Sequence, residues 1–244
     1  MFYMLLDYYS SVSALYFYFV KPRKSIWSQQ LKSIPGGLLF SFEGPDKAGK
    51  STQLRLLAAS LRQCGYQVHE TREPGGTRLG EELRSLLLQF KQEDISPEAE
   101  LLLFGASRAQ LMRQLILPAM RQGAIVLCDR FIDSTSAYQG EARGLSQEFI
   151  EAMHQFTLQG KMPDRSFFLD LDVKRSFARL RQLKPELLDD DRFEAENEAF
   201  HQRVREGFLK LAAKQPGRIK TFDASLPKSE LAARILQEVR NVIG

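Results

Sequence analysis

Short apolar runs alternate along this chain with longer stretches whose apolar residues recur every three or four positions. Leu38-Leu-Phe-Ser-Phe42 is a strand-like run that ends in a glycine-bearing loop. Beyond it, Leu54, Leu57, Ala58 and Leu61 share one helical face, and Gly65 marks the expected stop. Gln67–Thr71 reads as a second strand, and Thr77–Phe90 and Pro97–Arg121 read as helices, the latter with Ser96 as N-cap and Pro97 in the first turn. Three more strands are expected at Ala124–Cys128, Ser166–Leu171 and Ile219–Phe222. Helices at about Ser146–Gln159, Val173–Gln182 and Ala195–Ala213 separate them, and a last helix runs from Pro227. This alternation predicts an α/β fold, a parallel sheet covered by helices on both faces.

The 244 residues are 43% apolar and 26% charged, which suits one globular domain whose core needs no disulfide or metal staple. Cys64 and Cys128 match no redox or zinc spacing, which favours a reducing compartment. His69, His154 and His201 lack metal-ligand spacing and read as ordinary core or surface residues. The net charge of +4 invites a nucleic-acid or membrane reading until the chain is divided at Gly37. Residues 1–37 carry Lys21, Arg23, Lys24 and Lys32 against Asp7, a net of +3, and leave +1 for everything after them.

That first segment also holds Phe2, Tyr3, Tyr8, Tyr9, Tyr16, Phe17, Tyr18, Phe19 and Trp27, over a third of the chain's aromatics. It lacks the basic lead and small-residue cleavage site of a secretory signal. Its apolar length allows a membrane anchor, but Asp7 opposes one. A packed or interfacial element and a dispensable extension with little structure of its own are the other readings. The expected division is an extension at 1–37 and a main domain at 38–244, with no nucleic-acid partner and no stable membrane association.

Gly44-Pro45-Asp46-Lys47-Ala48-Gly49-Lys50-Ser51 fits G-x-x-x-x-G-K-[ST], directly after one expected strand and opening a helix that continues with Thr52. The glycines let successive backbone N–H groups curl toward a phosphate, and the positive helix N-terminus reinforces them. Lys50 can reach β- and γ-phosphates, and the Ser51 hydroxyl can ligate Mg²⁺. A nucleoside triphosphate is the expected ligand. No N-K-x-D motif accompanies the loop, because Asn197 and Asn241 are the only asparagines and neither precedes a lysine. A GTP switch is therefore disfavoured. A kinase for a small acceptor and an ATPase that drives a partner remain.

Further polar clusters suggest an acceptor site. Arg72-Glu-Pro-Gly-Gly-Thr77 is a tight turn with exposed amides, suited to a ligand or to a plain loop. Phe104 and Arg108 share a helical face, where an aromatic and a guanidinium could stack on a base and hydrogen-bond its edge. Asp129-Arg130 ends the most apolar strand, where ligands bind in open α/β sheets, and could serve magnesium and phosphate. Asp133-Ser-Thr-Ser-Ala-Tyr-Gln-Gly140 adds polar groups just beyond.

In this order the phosphate loop, Arg72–Thr77, Phe104-Gly-Ala-Ser-Arg108, Asp129-Arg-Phe and Ala137-Tyr-Gln-Gly140 resemble the motifs of bacterial-type thymidylate kinases. Pro163-Asp164 and Asp191-Arg-Phe-Glu194 extend the likeness, which covers the chain from about Leu38 to its C-terminus. The resemblance implies Mg²⁺- and ATP-dependent phosphorylation of dTMP to dTDP by a cytoplasmic homodimer. It also implies the P-loop kinase fold, a five-stranded parallel sheet of order 2-3-1-4-5. Asp46 would hold the acceptor sugar's 3′-hydroxyl, Arg84 and Arg130 would grip its phosphate, and Phe104 would stack on thymine. Arg108 would bond the base, Thr135 and Gln139 would contact its edge or the nearby sugar, and Tyr138 would crowd the 2′ position. Residues 44–52 with Arg192 would hold ATP, while Ser51 and Asp129 would hold the metal.

One departure concerns the cation that stabilises the transferring phosphoryl group. Some thymidylate kinases carry a basic residue beside the phosphate-loop acid, usually arginine; others draw arginine from a mobile lid. This chain has Lys47 in the loop and Arg179, Arg181, Lys184 and Arg192 around an expected lid at 182–192. A lysine cannot reproduce a bidentate guanidinium grip, so the lid arginines Arg179 and Arg181 are expected to matter more.

Overall fold

The computed structural model describes residues 31–90, 92–183, 192–193 and 195–244, with side chains omitted at 180–183. The expected lid at 182–192 therefore lies largely outside the described residues, as do the Arg181 side chain, Glu194 and most of the extension.

Five strands, β1 (Leu38–Glu43), β2 (Val68–Arg72), β3 (Ile125–Asp129), β4 (Arg165–Asp170) and β5 (Ile219–Asp223), form one parallel sheet of order β2-β3-β1-β4-β5. This is the expected topology. Alternation along β1 explains its central place: Phe40 and Phe42 face one layer, and Leu39 faces the other. The first layer packs α1 (Lys50–Gln63) and α9 (Lys228–Ile243) through Leu54, Leu57, Leu61, Leu231 and Ile235. The opposite face meets α3 (Pro97–Leu111), α4 (Leu117–Arg121) and, through a further cluster around Phe168 and Phe208, α8 (Glu198–Lys214). The register that pairs Phe42 with Asp129 and with Phe167 brings the carboxyl ends of three central strands to one edge.

Helix starts follow local chemistry. Thr77 accepts from Gly80 N to begin α2 (Arg78–Gln89), Ser96 from Ala99 N to begin α3, and Ser146 from Phe149 N to begin α6 (Gln147–Leu158). Asn197 caps α8 in the same way, so that helix begins after Asn197 and not at Ala195. The expected single helix from Pro97 to Arg121 contains a π-helical turn at Met112–Ile116, where Leu117 N reaches back to Met112 O. Pro118 follows directly and has no N–H for a regular turn. Residues 132–142, where no element was expected, are helical: α5 (Ile132–Thr135) continues into a π-helical segment, Ser136–Ala142. Their apolar residues Ile132, Ala137 and Ala142 are buried, so packing decided the conformation.

One compact unit spans Lys32–Gly244. Lys32 N donates to Gly65 O at 2.8 Å and Ile34 N to Gly123 O at 2.9 Å, while Ile34 packs against the core. Among the described residues no helix is long and apolar enough to cross a membrane, and no three His, Cys, Asp or Glu side chains gather as a metal site.

Candidate functional site

The phosphate loop runs from β1 into α1. Gly44 has φ 129°, and a Cβ there would lie 2.5 Å from Leu169 O, so the loop can lie against β4 only with glycine. Gly49, at φ 96°, turns the chain into α1 and leaves the first helical N–H groups free of any side-chain cap. Lys50 is buried and donates to Pro45 O at 2.7 Å, with Asp46 Oδ1 3.9 Å away. Burial and then the Arg130 charge push its ammonium down to about 8. Ser51 Oγ donates to Asp129 Oδ2, so the two oxygens expected at a metal converge where α1 begins.

Arg130 is left-handed at φ 67° and turns its guanidinium back over the loop. It donates to Asp46 Oδ1 at 2.6 Å, to Gly44 O at 2.9 Å and to Ser134 Oγ at 3.2 Å, and lies 5.1 Å from the Tyr138 ring centre. Burial disfavours the Asp46 charge, but Arg130 and Lys50 outweigh it and hold that carboxyl well below the usual range. Ser134 in turn donates to Glu43 Oε2 at 2.6 Å. Burial, with the nearby Asp133 charge, pushes the Glu43 carboxyl up to about 8. Arg130 thus joins the phosphate loop to the α5 segment.

Beside Asp46 and Arg130 opens a cavity lined by polar and aromatic side chains. Arg84, Phe104, Arg108, Thr135, Tyr138 and Gln139 all line it, joined by Glu73, Pro74, Leu88, Phe131, Ser134 and Phe193. Phe104 thus faces the cavity, with Phe193 edge-on at 5.9 Å. Arg84 donates to Pro74 O at 3.1 Å. Arg108 is not a solvated helix charge: only 1% of it is exposed. It grips Glu73 through Nη2 at 2.6 Å and Nε at 2.9 Å, donates to Thr135 Oγ1 at 2.8 Å, and meets His154 Nδ1 at 3.2 Å. Burial and then Arg108 push the His154 imidazole down to about 2, so it stands beside Arg108 as a neutral ring.

Eight expected residues, Asp46, Arg84, Phe104, Arg108, Arg130, Thr135, Tyr138 and Gln139, therefore share one cavity. Arg192 does not join the phosphate loop. It donates to Glu100 and to Leu87 O at 3.3 Å, on the side of the cavity that Phe193 lines. Its neighbours in the chain gave no hint of that partner. Arg179, on α7 (Val173–Leu183), does reach the loop, donating to Lys47 O at 3.2 Å and to Ala224 O at 3.1 Å. Ser176 on the same helix donates to Asp46 O at 2.6 Å. Lys47 has φ 58°, in the left-handed region. Sequence reasoning missed Glu73, Glu100 and Phe193. Glu100 could have been found, because it precedes Phe104 and Arg108 by one and two helical turns on the same face.

Comparison with known proteins gives a consistent picture. The family model described as thymidylate kinase matches residues 42–235. A thymidylate kinase of Dehalococcoides mccartyi (strain CBDB1) is 44% identical over 207 residues, 85% of this chain and 97% of that protein. One from Geobacillus sp. (strain WCH70) is 42% identical over 207 residues, covering 85% of this chain and 98% of the relative. The crystal structure of thymidylate kinase from Ehrlichia chaffeensis superposes with a TM-score of 0.67 at 33% identity, over 84% of this chain and 99% of its own.

Proposed function

The chain belongs to the thymidylate kinase family, and on that footing we propose that it transfers the γ-phosphoryl group of ATP to dTMP, giving dTDP and ADP. The observation that carries this reading is the sharing of Asp46 and Arg130 between the phosphate loop and the acceptor cavity. A donor held by the loop and an acceptor held in the cavity meet at that pair.

Residues 44–52 cradle the triphosphate of ATP through backbone N–H groups, with Lys50 on its outer phosphates. In the cavity Phe104 stacks on thymine, Arg108 bonds the base, and Thr135 and Gln139 contact its edge or the nearby sugar. Tyr138 crowds the 2′ position, Asp46 accepts from the 3′-hydroxyl, and Arg84 with Arg130 grips the acceptor phosphate. An oxygen of that phosphate attacks the γ-phosphorus in line. The bond from that phosphorus to the β-bridging oxygen breaks, and ADP leaves with its electron pair. No covalent enzyme intermediate is needed, so the chain contributes position and positive charge. Ser51 and Asp129 suit a magnesium ion, being two hard oxygen donors that converge where α1 begins. Such an ion would neutralise the charge of the β- and γ-phosphates. The transition-state cation comes chiefly from the lid arginines Arg179 and Arg181, with Lys47 secondary.

The catalytic unit is residues 38–244, working as a homodimer in the cytoplasm. Leu102 on α3 and Phe149 and Phe156 on α6 are 55%, 53% and 82% exposed, and support pairing through helices on one face of the sheet. ADP release measured with a panel of nucleoside monophosphates tests the activity. Selective stimulation by dTMP is expected. Preference for another acceptor, or turnover that ignores the acceptor, would show a different kinase or an ATP-driven regulator.

A further inference from the structure

Glu100 lies on α3 one turn before Phe104, with none of its side chain exposed. Three residues donate to it: Gln139 Nε2 at 2.8 Å, Arg143 Nη2 at 3.3 Å, and Arg192 Nη2. Guanidiniums only donate, so Glu100 meets both arginines as an acceptor, and Gln139 can face it only with its NH₂ group. Chemistry therefore sets the orientation of the Gln139 amide. Its carbonyl oxygen is the atom left for the cavity, which Gln139 lines while only 1% exposed.

Arg108 supplies the complementary half of the pattern. Its Nε and Nη2 are committed to Glu73 and Thr135 and one Nη1 N–H to His154, which leaves a second Nη1 N–H. Gln139 and Arg108 thus offer one acceptor and one donor side by side in the cavity lining. Thymine presents an N3–H donor beside carbonyl acceptors. Cytosine presents an N3 acceptor beside an amino donor, so both of its groups would face their like. Turning the Gln139 amide over would replace the acceptor by a donor and invite the cytosine edge.

Resting on the dTMP kinase reading above, we propose that Glu100 is a positioning residue for acceptor choice, holding the Gln139 amide with its oxygen toward the base. A site built this way rejects the wrong edge because two buried acceptors are left opposed and unsatisfied. The same carboxylate anchors Arg192, and with it the Phe193 wall of the cavity.

The test is the ratio of kcat/KM for dTMP to that for dCMP. Glu100→Gln offers both an acceptor and a donor, so the Gln139 amide can pair in either orientation, and the ratio should fall at least about tenfold. The exchange Glu100→Gln/Gln139→Glu keeps the net charge and again places an acceptor toward the base, so it should restore the ratio. Gln139→Met leaves Glu100 and its arginines intact and should lose the ratio as well, which keeps the test open should Glu100→Gln fold poorly. Parallel loss of both substrates in Glu100→Gln, no recovery in the exchange, or full discrimination in Gln139→Met would overturn the proposal. A wild-type enzyme inactive on dTMP would instead overturn the reading on which it rests.

Discussion

Replacing Glu73 by alanine should destabilise the fold as well as the acceptor cavity. Glu73 and Arg108 are 3% and 1% exposed, and the carboxylate receives the guanidinium through contacts of 2.6, 2.9 and 3.1 Å. Without Glu73, Arg108 keeps the Thr135 hydroxyl, the Phe131 ring and His154, whose ring is uncharged, and no described carboxylate replaces the lost one. Breaking a buried pair by removing one partner costs about 3–5 kcal/mol, because the remaining charge stays desolvated. For a domain of this size each kcal/mol moves Tm by about 2–4 °C, so a fall of roughly 6–20 °C is expected. Removing both charges tells that cost apart from lost packing. Glu73→Leu/Arg108→Met should melt above Glu73→Ala, since no buried charge is stranded. Thermal melts of the three proteins by calorimetry, with KM for dTMP measured on the survivors, read both consequences. A Glu73→Ala melt within about 1 °C of wild type, or a double variant as unstable as the single one, would refute the argument.

Two further outcomes follow from the phosphate loop. The Lys50 ammonium, lowered to about 8 by burial and Arg130, is present below that pH and lost above it. ATP affinity of the free enzyme should therefore fall as pH rises through about 8, with proton uptake on binding near that pH. Titration calorimetry in buffers of different ionisation enthalpy reads this, and buffer-independent heats would contradict it. Arg179→Ala should lower kcat more than Lys47→Ala, since Arg179 reaches the loop with a two-armed guanidinium. Loss of about 1,000-fold in Lys47→Ala beside a nearly normal Arg179→Ala would reverse that order.

Most of the sheet was legible because each strand is a local run, and the observed strands begin and end within a residue or two of the expected ones. The Ser96 cap of α3 was legible for the same reason, whereas the Asn197 cap of α8 was not. The segment 132–142 was not, since its polar residues serve partners on other elements: Asp133 meets Arg218 and Ser166, and Ser134 meets Glu43 and Arg130. Polarity alone reads as loop, and only those distant partners turn it into a buried helix. The eight residues that share the cavity were named together through resemblance, although the chemistry of each side chain left its burial open. Arg108 and Arg192 are both arginines in polar surroundings; one is almost wholly buried, and the other turned out to face Glu100.

The sequence alone therefore determined what short-range chemistry controls. The phosphate loop is written in consecutive residues, because backbone curvature, helix start and lysine reach all arise within Gly44–Ser51. The alternation of strands and helices follows from side-chain periods of a few residues. Tertiary structure decided which charges meet. Glu73 lies 35 residues from Arg108, Glu100 lies 92 from Arg192, and Arg130 lies 84 from Asp46. Such pairs depend on where packed layers bring side chains together, and many alternative partners of the same charge precede that packing. Burial then gives each pair its consequence, since the same ions held in water would interact weakly and would shift little in protonation.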